Sequence, residues 1–402
     1  MTISTSACAV CGGNDWLELP PPHSDRSVRS DGAVLGHPMR KAQCSACALV
    51  QAMSLADTEA LTILYTDEYD LYNSRPSSEQ FVTGRYTALA QAIASSIAPY
   101  RPSRVLEVGC GNGSALKAVQ SLWPDAFCIG VEPVVTAVKA AQAAGINVHQ
   151  GMIGGVLPPA IARETYDVIY SIHVIEHTED PAAFLRGLKA LLSPHGRLII
   201  TCPNARAPNL EIVRSDHQYS MTPYHLGALT RKAGLIPLRS TLCPGGGEDL
   251  DYEHNQLLVA CLPDKSDHVA AQMPLPGYLQ EANRLQLLGA RCKYFHDFST
   301  LDATLQARLD GHKRLVCFGT GGWASILAGY APGVWERVQA CVIDGGSDGA
   351  FFGKRILAYD ALKEMNPDGV IVGVNPATQP MIAQRLEQAG YPTIRWDDLI
   401  AM

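Results

Sequence analysis

The stretch "RVLEVGCGNG" occupies residues 104–113. A short apolar run carries an acid, Glu107, and then meets glycines at positions 109, 111 and 113. Such a run, bounded by turn residues, reads as a buried strand. The glycines let the following loop adopt backbone conformations closed to other residues, and they let a ligand approach the main chain. A dinucleotide loop wants glycine at its first, third and sixth positions. Here the sixth position is Ser114, and Glu107 beside the loop would repel a pyrophosphate and attract a cation.

Outward from this loop, strand and helix patterns alternate. "FCIGVEP" reads as the next strand, "VTAVKAAQAAG" as a helix closed by glycine, and "INVHQG" as a third strand. "YDVIYSIHVIEH" is a long apolar strand with a polar tail, "PAAFLRGLKALLSPHG" a helix and "RLIITCP" a fifth strand. This alternation implies an α/β fold with a parallel sheet and crossover helices. Its ligand belongs at the carboxyl ends of the strands. A nucleoside with a cationic centre and no phosphate fits the acid-glycine loop; S-adenosylmethionine (SAM) has a sulfonium and an amino group. Glu132 ends the second strand, where it can take ribose hydroxyls.

Bulk properties narrow the setting. The 402 residues suffice for two or three domains. A net charge of −7 with no dense basic run argues against a nucleic-acid partner. No basic-then-apolar leader opens the sequence, and no apolar stretch approaches the roughly 20 residues that cross a bilayer. A cytoplasmic protein with no membrane partner, monomeric or homodimeric, is expected. Of its 12 cysteines, four form two CxxC pairs, Cys8 with Cys11 and Cys44 with Cys47. Two such knuckles complete a tetrahedron around Zn²⁺, and four cysteine ligands leave no open position, so a structural zinc is expected. The other eight cysteines read as small buried hydrophobes.

The motifs "VLEVGCGNG", "GVEP", "YDVIYSIHVIEHTEDP" and "RLIITCPN", taken in order, resemble those of class I SAM-dependent methyltransferases. The resemblance spans residues 80 to 262 and implies a Rossmann-like fold. It implies that Glu107, Gly109, Gly111 and Gly113 hold the methionine part of SAM and that Glu132 holds the ribose. Many members place an acid after the third strand; this chain reads "HQGMIGG", so Met152 and Ile153 are expected to flank the adenine. His173, after the fourth strand, joins the cofactor set.

The acceptor pocket is expected above the ends of strands four and five. There Glu176-His177 and "RSDHQYSMTPYHL", with Asp216, His217, Tyr219 and Tyr224, bring histidines beside acids, and histidine suits a general base. Between the cysteines and the core, "LADTEALTILYTDEYDLYNSRPSSEQF" (55–81) opens as a helix and turns tyrosine-rich at Tyr65, Tyr69 and Tyr72. It reads either as a surface connection or as a lid. The whole chain resembles nucleotide-sugar C-methyltransferases of deoxysugar biosynthesis. That resemblance implies substrate-binding or catalytic roles for Tyr72, Glu79, His177, Asp216 and His217, and Tyr219 of the same loop joins the catalytic candidates. It departs from the family at Asp216, where glutamate is usual, and in a shorter C-terminal part. The implied reaction removes a proton alpha to a carbonyl, giving an enolate that takes the methyl of SAM.

After a polar, proline-containing linker, "RLVCFGTGGWAS" places Gly319, Gly321 and Ala324 after a strand, and a second strand ends at Asp344. This is a smaller Rossmann-like unit. It is expected to help hold a nucleotide-linked substrate, with a bound dinucleotide as the bolder reading and a purely structural or dimerising role as the third. Trp323 reads as a core or interface tryptophan, the commoner case, or as a stacking surface for a base. The expected layout is a zinc-binding module over 1–55, tyrosine-rich helices over 56–85, a methyltransferase domain over 86–262, a linker over 263–280 and the C-terminal unit over 281–402. The expected function is SAM-dependent methylation of a small polar metabolite, foremost a nucleotide-linked keto-sugar at carbon. O- or N-methylation of another metabolite, and a non-catalytic SAM-binding scaffold, stand as alternatives.

Overall fold

In a computed structural model the described residues are 7–69, 79–243, 255–263, 280–346 and 349–400. Tyr72 lies outside them. Glu79 opens the helix Glu79–Ser96, and its side chain is likewise outside what is described.

A seven-stranded sheet carries the acid-glycine loop. In chain order its strands are Arg104–Val108, Phe127–Glu132, Val148–Gln150, Tyr166–Ile172, Leu192–Pro203, Ile236–Leu242 and Asn255–Cys261. They lie in the order 3-2-1-4-5-7-6, with strand seven antiparallel to both its neighbours and all other pairs parallel. The parallel strands are near-continuous apolar runs because helices cover both faces. The helix Pro181–Ala190 shows how local chemistry sets the crossover. Asp180 caps it, accepting from the backbone N–H groups of Ala182 and Ala183 at 2.8 and 3.0 Å. Pro181 fits its first turn, and Ala182, Leu185 and Leu188 are buried at helical spacing.

The four cysteines sit in a small sheet. Trp16–Glu18, Lys41–Cys44 and Val50–Ala52 are its first three strands, and the fourth is Tyr219–Ser220, immediately after His217. The loop that follows strand five of the central sheet is therefore also an edge of the cysteine-bearing sheet. A hairpin, Ser27–Val28 with Val34–Leu35, projects from the same region. Val28 closes against Gly329, where an added Cβ would lie 2.2 Å from its Cγ2.

The helix Glu281–Arg308 leads into a six-stranded sheet. Four parallel strands form its centre, Lys354–Ala358, Val338–Ile343, Leu315–Phe318 and Gly369–Val372, with short edge strands on both sides. Of the two readings of Trp323, core residue and stacking surface, the structure shows the first. Its ring is 1% exposed and lies edge-on to Trp396 at 5.7 Å, inside the apolar core of this sheet. The helix Gly322–Tyr330 is buried along its whole length, so it presents no free face to a base. Asp344, at the end of the next strand, is paired with Arg385. Among the described residues no helix is long and apolar enough to cross a membrane.

Candidate functional site

The glycine loop has the backbone its sequence requires. Gly109, Gly111 and Gly113 take φ of +72°, +54° and +77°, all in the left-handed region. A Cβ at Gly109 would lie 2.4 Å from Val174 Cγ2. We therefore expect Gly109→Ala to weaken SAM binding by about tenfold or more, which is about 1.4 kcal/mol. Isothermal titration checks this, and unchanged affinity would show that the loop tolerates a side chain.

Two carboxylates face the loop. Glu107 is 2% exposed and accepts from the Tyr170 hydroxyl at 3.0 Å; burial holds its carboxyl well above the usual range, and Glu132 nearby adds to the shift. Glu132 accepts from the N–H groups of Gly111 and Val134 at 2.8 and 2.9 Å, while burial pushes its pKa up. Two buried acids at adjacent strand ends suit a cationic ligand, and each oxygen of Glu132 keeps a lone pair for a ribose hydroxyl. The residues present thus fit SAM. Met152 lies half-buried after strand three. Ile153 is turned toward the helix Pro181–Ala190, where a Cβ on Gly187 would meet its Cγ2 at 2.5 Å, so it packs there rather than against a ring. His173 takes φ +54° and places Nδ1 3.1 Å from Glu176 Oε1; its buried Nε2 has no hydrogen-bond partner among the described residues.

The second group of residues lies beyond strands four and five. A single 3-10 turn, Ile175–His177, delivers His177, and the segment after Leu210–Val213 delivers Asp216 and His217. The two imidazoles meet edge-to-face at 4.5 Å. His177 Nδ1 lies 3.1 Å from the Asp216 carbonyl oxygen and 3.6 Å from its carboxylate. His217 Nε2 is 3.1 Å from Glu211 Oε2. Burial pushes the pKa of His217 well below its ordinary value, and His177, Lys41, Arg214 and His173 act in the same direction, so His217 is neutral. The Asp216 carboxylate accepts from Ser30 at both the backbone N–H and the hydroxyl.

Other expected residues fall elsewhere. Tyr219 is 3% exposed, and its hydroxyl donates to the Glu179 carbonyl at 2.6 Å. That bond ties the strand Tyr219–Ser220 to the segment after His177. From the described part of the tyrosine-rich segment, Tyr65 and Tyr69 reach this group. Tyr65 meets His177 at 6.0 Å and Tyr69 at 5.1 Å, and its buried hydroxyl has no hydrogen-bond partner among the described residues. Burial pushes its phenol well above the ordinary value, with Asp216, Tyr69, Glu176 and Glu132 adding to the effect, so it remains a donor. Sequence reading passed over Ser30, Glu211, Lys41 and Arg214. Lys41, 1% exposed, donates to the carbonyls of Ile212 and Arg214; Arg214 donates to Arg29, Gly322 and Ser325. For Arg214 the only signal available was a long polar side chain at the end of an apolar stretch, and Ser30 offered none.

The four cysteine sulfurs of the N-terminal sheet all lie within 4.8 Å of one another, with Cys8–Cys47 and Cys11–Cys44 at 3.5 Å. Zn–S bonds of about 2.3 Å in a tetrahedron give sulfur separations of about 3.8 Å, so this set fits a zinc ion.

A family model described as a methyltransferase domain matches residues 81–239. The ubiquinone biosynthesis O-methyltransferase of Azorhizobium caulinodans is 31% identical over 187 residues, which are 40% of this chain and 73% of that protein. Its namesake from Cereibacter sphaeroides (strain ATCC 17029) is 26% identical over 185 residues, 42% of this chain and 74% of that one. Among solved structures, the plantazolicin methyltransferase BpumL in complex with SAH aligns with a TM-score of 0.39 and 17% identity, over 51% of this chain and 95% of that one.

Proposed function

The chain belongs to the class I SAM-dependent methyltransferases, and within that family we propose that it methylates a carbon of a nucleotide-linked keto-sugar through an enolate. One observation carries this reading. His177, oriented by Asp216, meets a second, neutral histidine, His217, edge-to-face beyond strands four and five, and offers a base. A carbon acid needs such a base far more than an amine does.

In this reading His177 takes the proton alpha to the acceptor carbonyl, and the electron pair of the C–H bond moves onto the carbonyl oxygen. Tyr65, a buried hydroxyl donor with no hydrogen-bond partner among the described residues, would stabilise that oxygen. Glu107 and Glu132 hold the cationic nucleoside, and the loop glycines let it lie against the main chain. When bound, SAM supplies a methyl group on a sulfonium, whose S–C electron pair returns to sulfur as the new C–C bond forms. The names of the relatives favour a second reading, methylation of an oxygen, in which the same histidine removes a hydroxyl proton.

The two readings part in deuterated water. With nucleotide-linked keto-sugars and no SAM, carbon acid chemistry exchanges the alpha proton for deuterium, and with SAM it places the methyl on carbon. Transfer to oxygen without exchange would replace the first reading by the second.

The cysteine set is proposed to hold one structural zinc ion. Metal analysis is expected to give one zinc per chain. Chelation is expected to lower Tm by on the order of 10 °C. Because Val50–Ala52 pairs with Tyr219–Ser220, it should also slacken the loop that carries His217. A chain that is metal-free as purified and equally stable would remove zinc from this account.

A further inference from the structure

The hairpin turn between Ser27–Val28 and Val34–Leu35 reaches the histidine pair from far away in sequence. Ser215 N–H donates to the Val28 carbonyl at 2.9 Å, and Arg214 donates to the Arg29 carbonyl at 3.0 Å, so the turn runs beside the segment that carries Asp216. Ser30, 9% exposed, then closes on the Asp216 carboxylate with both of its donors. Its N–H reaches Oδ1 at 2.8 Å, and its hydroxyl binds Oδ2. The Tyr69 hydroxyl lies 3.0 Å from Ser30 Oγ. Arg29 fixes the turn from the other side through Asp31 at 2.8 Å and Glu68 at 3.1 Å.

This arrangement settles the proton on His177. Its Nδ1 has only oxygens beside it, the Asp216 carbonyl at 3.1 Å and the Asp216 carboxylate at 3.6 Å. An oxygen accepts and does not donate there, so Nδ1 carries the hydrogen of the neutral ring and Nε2 keeps the lone pair. The hydrogen bond goes to the Asp216 main-chain carbonyl, with the carboxylate beyond hydrogen-bond distance, and Ser30 fixes the residue that presents both oxygens by binding its side chain twice.

We infer that Ser30, from the cysteine-bearing N-terminal region, is a positioning residue for the methyl transfer: it holds Asp216 so that Asp216 keeps His177 with Nε2 free to accept a proton. The inference rests on the reading above, in which His177 is the base. It makes the N-terminal region part of the reaction centre and not only a support for it. Removing the hydroxyl leaves one donor on the carboxylate, the backbone N–H, and frees Oδ2 to turn. The groups around the pair remain as they are: His217, Tyr65 and Tyr69, Glu176 on the turn of His177, Lys41 and Arg214 behind His217, and Arg29 with its two acids.

The test uses the full zinc-loaded chain with ¹⁵N-labelled histidine and long-range ¹H–¹⁵N NMR, which reads each imidazole tautomer directly. His177→Gln identifies the His177 signals by their loss. The parent is expected to show His177 protonated at Nδ1. Ser30→Ala should lose the predominance of that signal, and Ser30→Thr, which keeps the hydroxyl, should restore it. Asp216→Asn is the second variant, expected to show the same loss as Ser30→Ala, and it decides the matter if Ser30→Ala does not fold. SAM affinity by titration should be unchanged throughout. A Ser30→Ala spectrum identical to the parent would overturn the inference, as would a parent protonated at Nε2. Failure of the functional reading looks different: turnover would then survive His177→Gln while the Ser30-dependent tautomer remained.

Discussion

Replacing His177 by alanine is expected to lower kcat by about 10²- to 10⁴-fold, the range of a positioned general base. The affinity for SAM is expected to stay within about twofold, because the groups that receive SAM lie on the glycine loop and strand two. The expectation follows from position. His177 stands at the end of one 3-10 turn, touches His217 and Tyr65, and has one nitrogen committed to Asp216. His217 cannot take over its role. Its pKa is pushed well down by burial and by cationic neighbours, which makes it a poor proton acceptor. Steady-state kinetics on an acceptor found in the deuterium experiment, paired with calorimetric SAM binding, separates the two effects. A variant that keeps most of its turnover would mean that the acceptor arrives already ionised, as an amine or acidic hydroxyl can.

The largest expected effect on stability lies at Arg291. Its guanidinium is fully buried and joins three regions: it donates to Gln43 at 2.7 Å and to the Ala48 carbonyl at 2.8 Å in the cysteine-bearing sheet, and to the Ala205 carbonyl at 3.0 Å after strand five. Burial pulls its pKa down to about 9. Arg291→Ala would leave three buried acceptors without a donor and open a cavity. At roughly 1–3 kcal/mol for each orphaned group, a loss on the order of 3–5 kcal/mol is expected. Chemical denaturation measures it, and a loss under about 1 kcal/mol would mean that water replaces the guanidinium. Because the residue lies on the helix Glu281–Arg308, the result also reports how firmly that helix is docked on the rest.

The central sheet was legible because its signals are local. Contiguous apolar runs, glycines at fixed offsets and an acid at a strand end all act within a few residues of one another. The glycine loop and the two acids therefore stand where the sequence places them. The tyrosine segment was legible in kind but not in detail. The resemblance placed weight on Tyr72, which lies outside the described residues; within them Tyr65 reaches His177. Tyr65 sits in a π-helical turn, Leu64–Glu68, whose wider spacing a periodicity of 3.6 does not anticipate. Ser30 was invisible for another reason: its partner Asp216 is 186 residues away, and nothing around Ser30 distinguishes it from an ordinary turn serine. Trp323 had two destinations in the sequence and took the commoner one, the core; its partner there, Trp396, comes from a segment that closes the sheet much later in the chain.

The strand Tyr219–Ser220 belongs by descent of the chain to the part matched by relatives, and by hydrogen bonding to the cysteine-bearing sheet, where it pairs with Val50–Ala52. That double membership bears on heredity. A recombination joint placed between the N-terminal region and the core would separate a strand from its partner and a serine from its aspartate. Neither half could be traded for a counterpart from another lineage unless the loop after strand five were traded with it. The two stretches, distant in the gene, form one unit of inheritance.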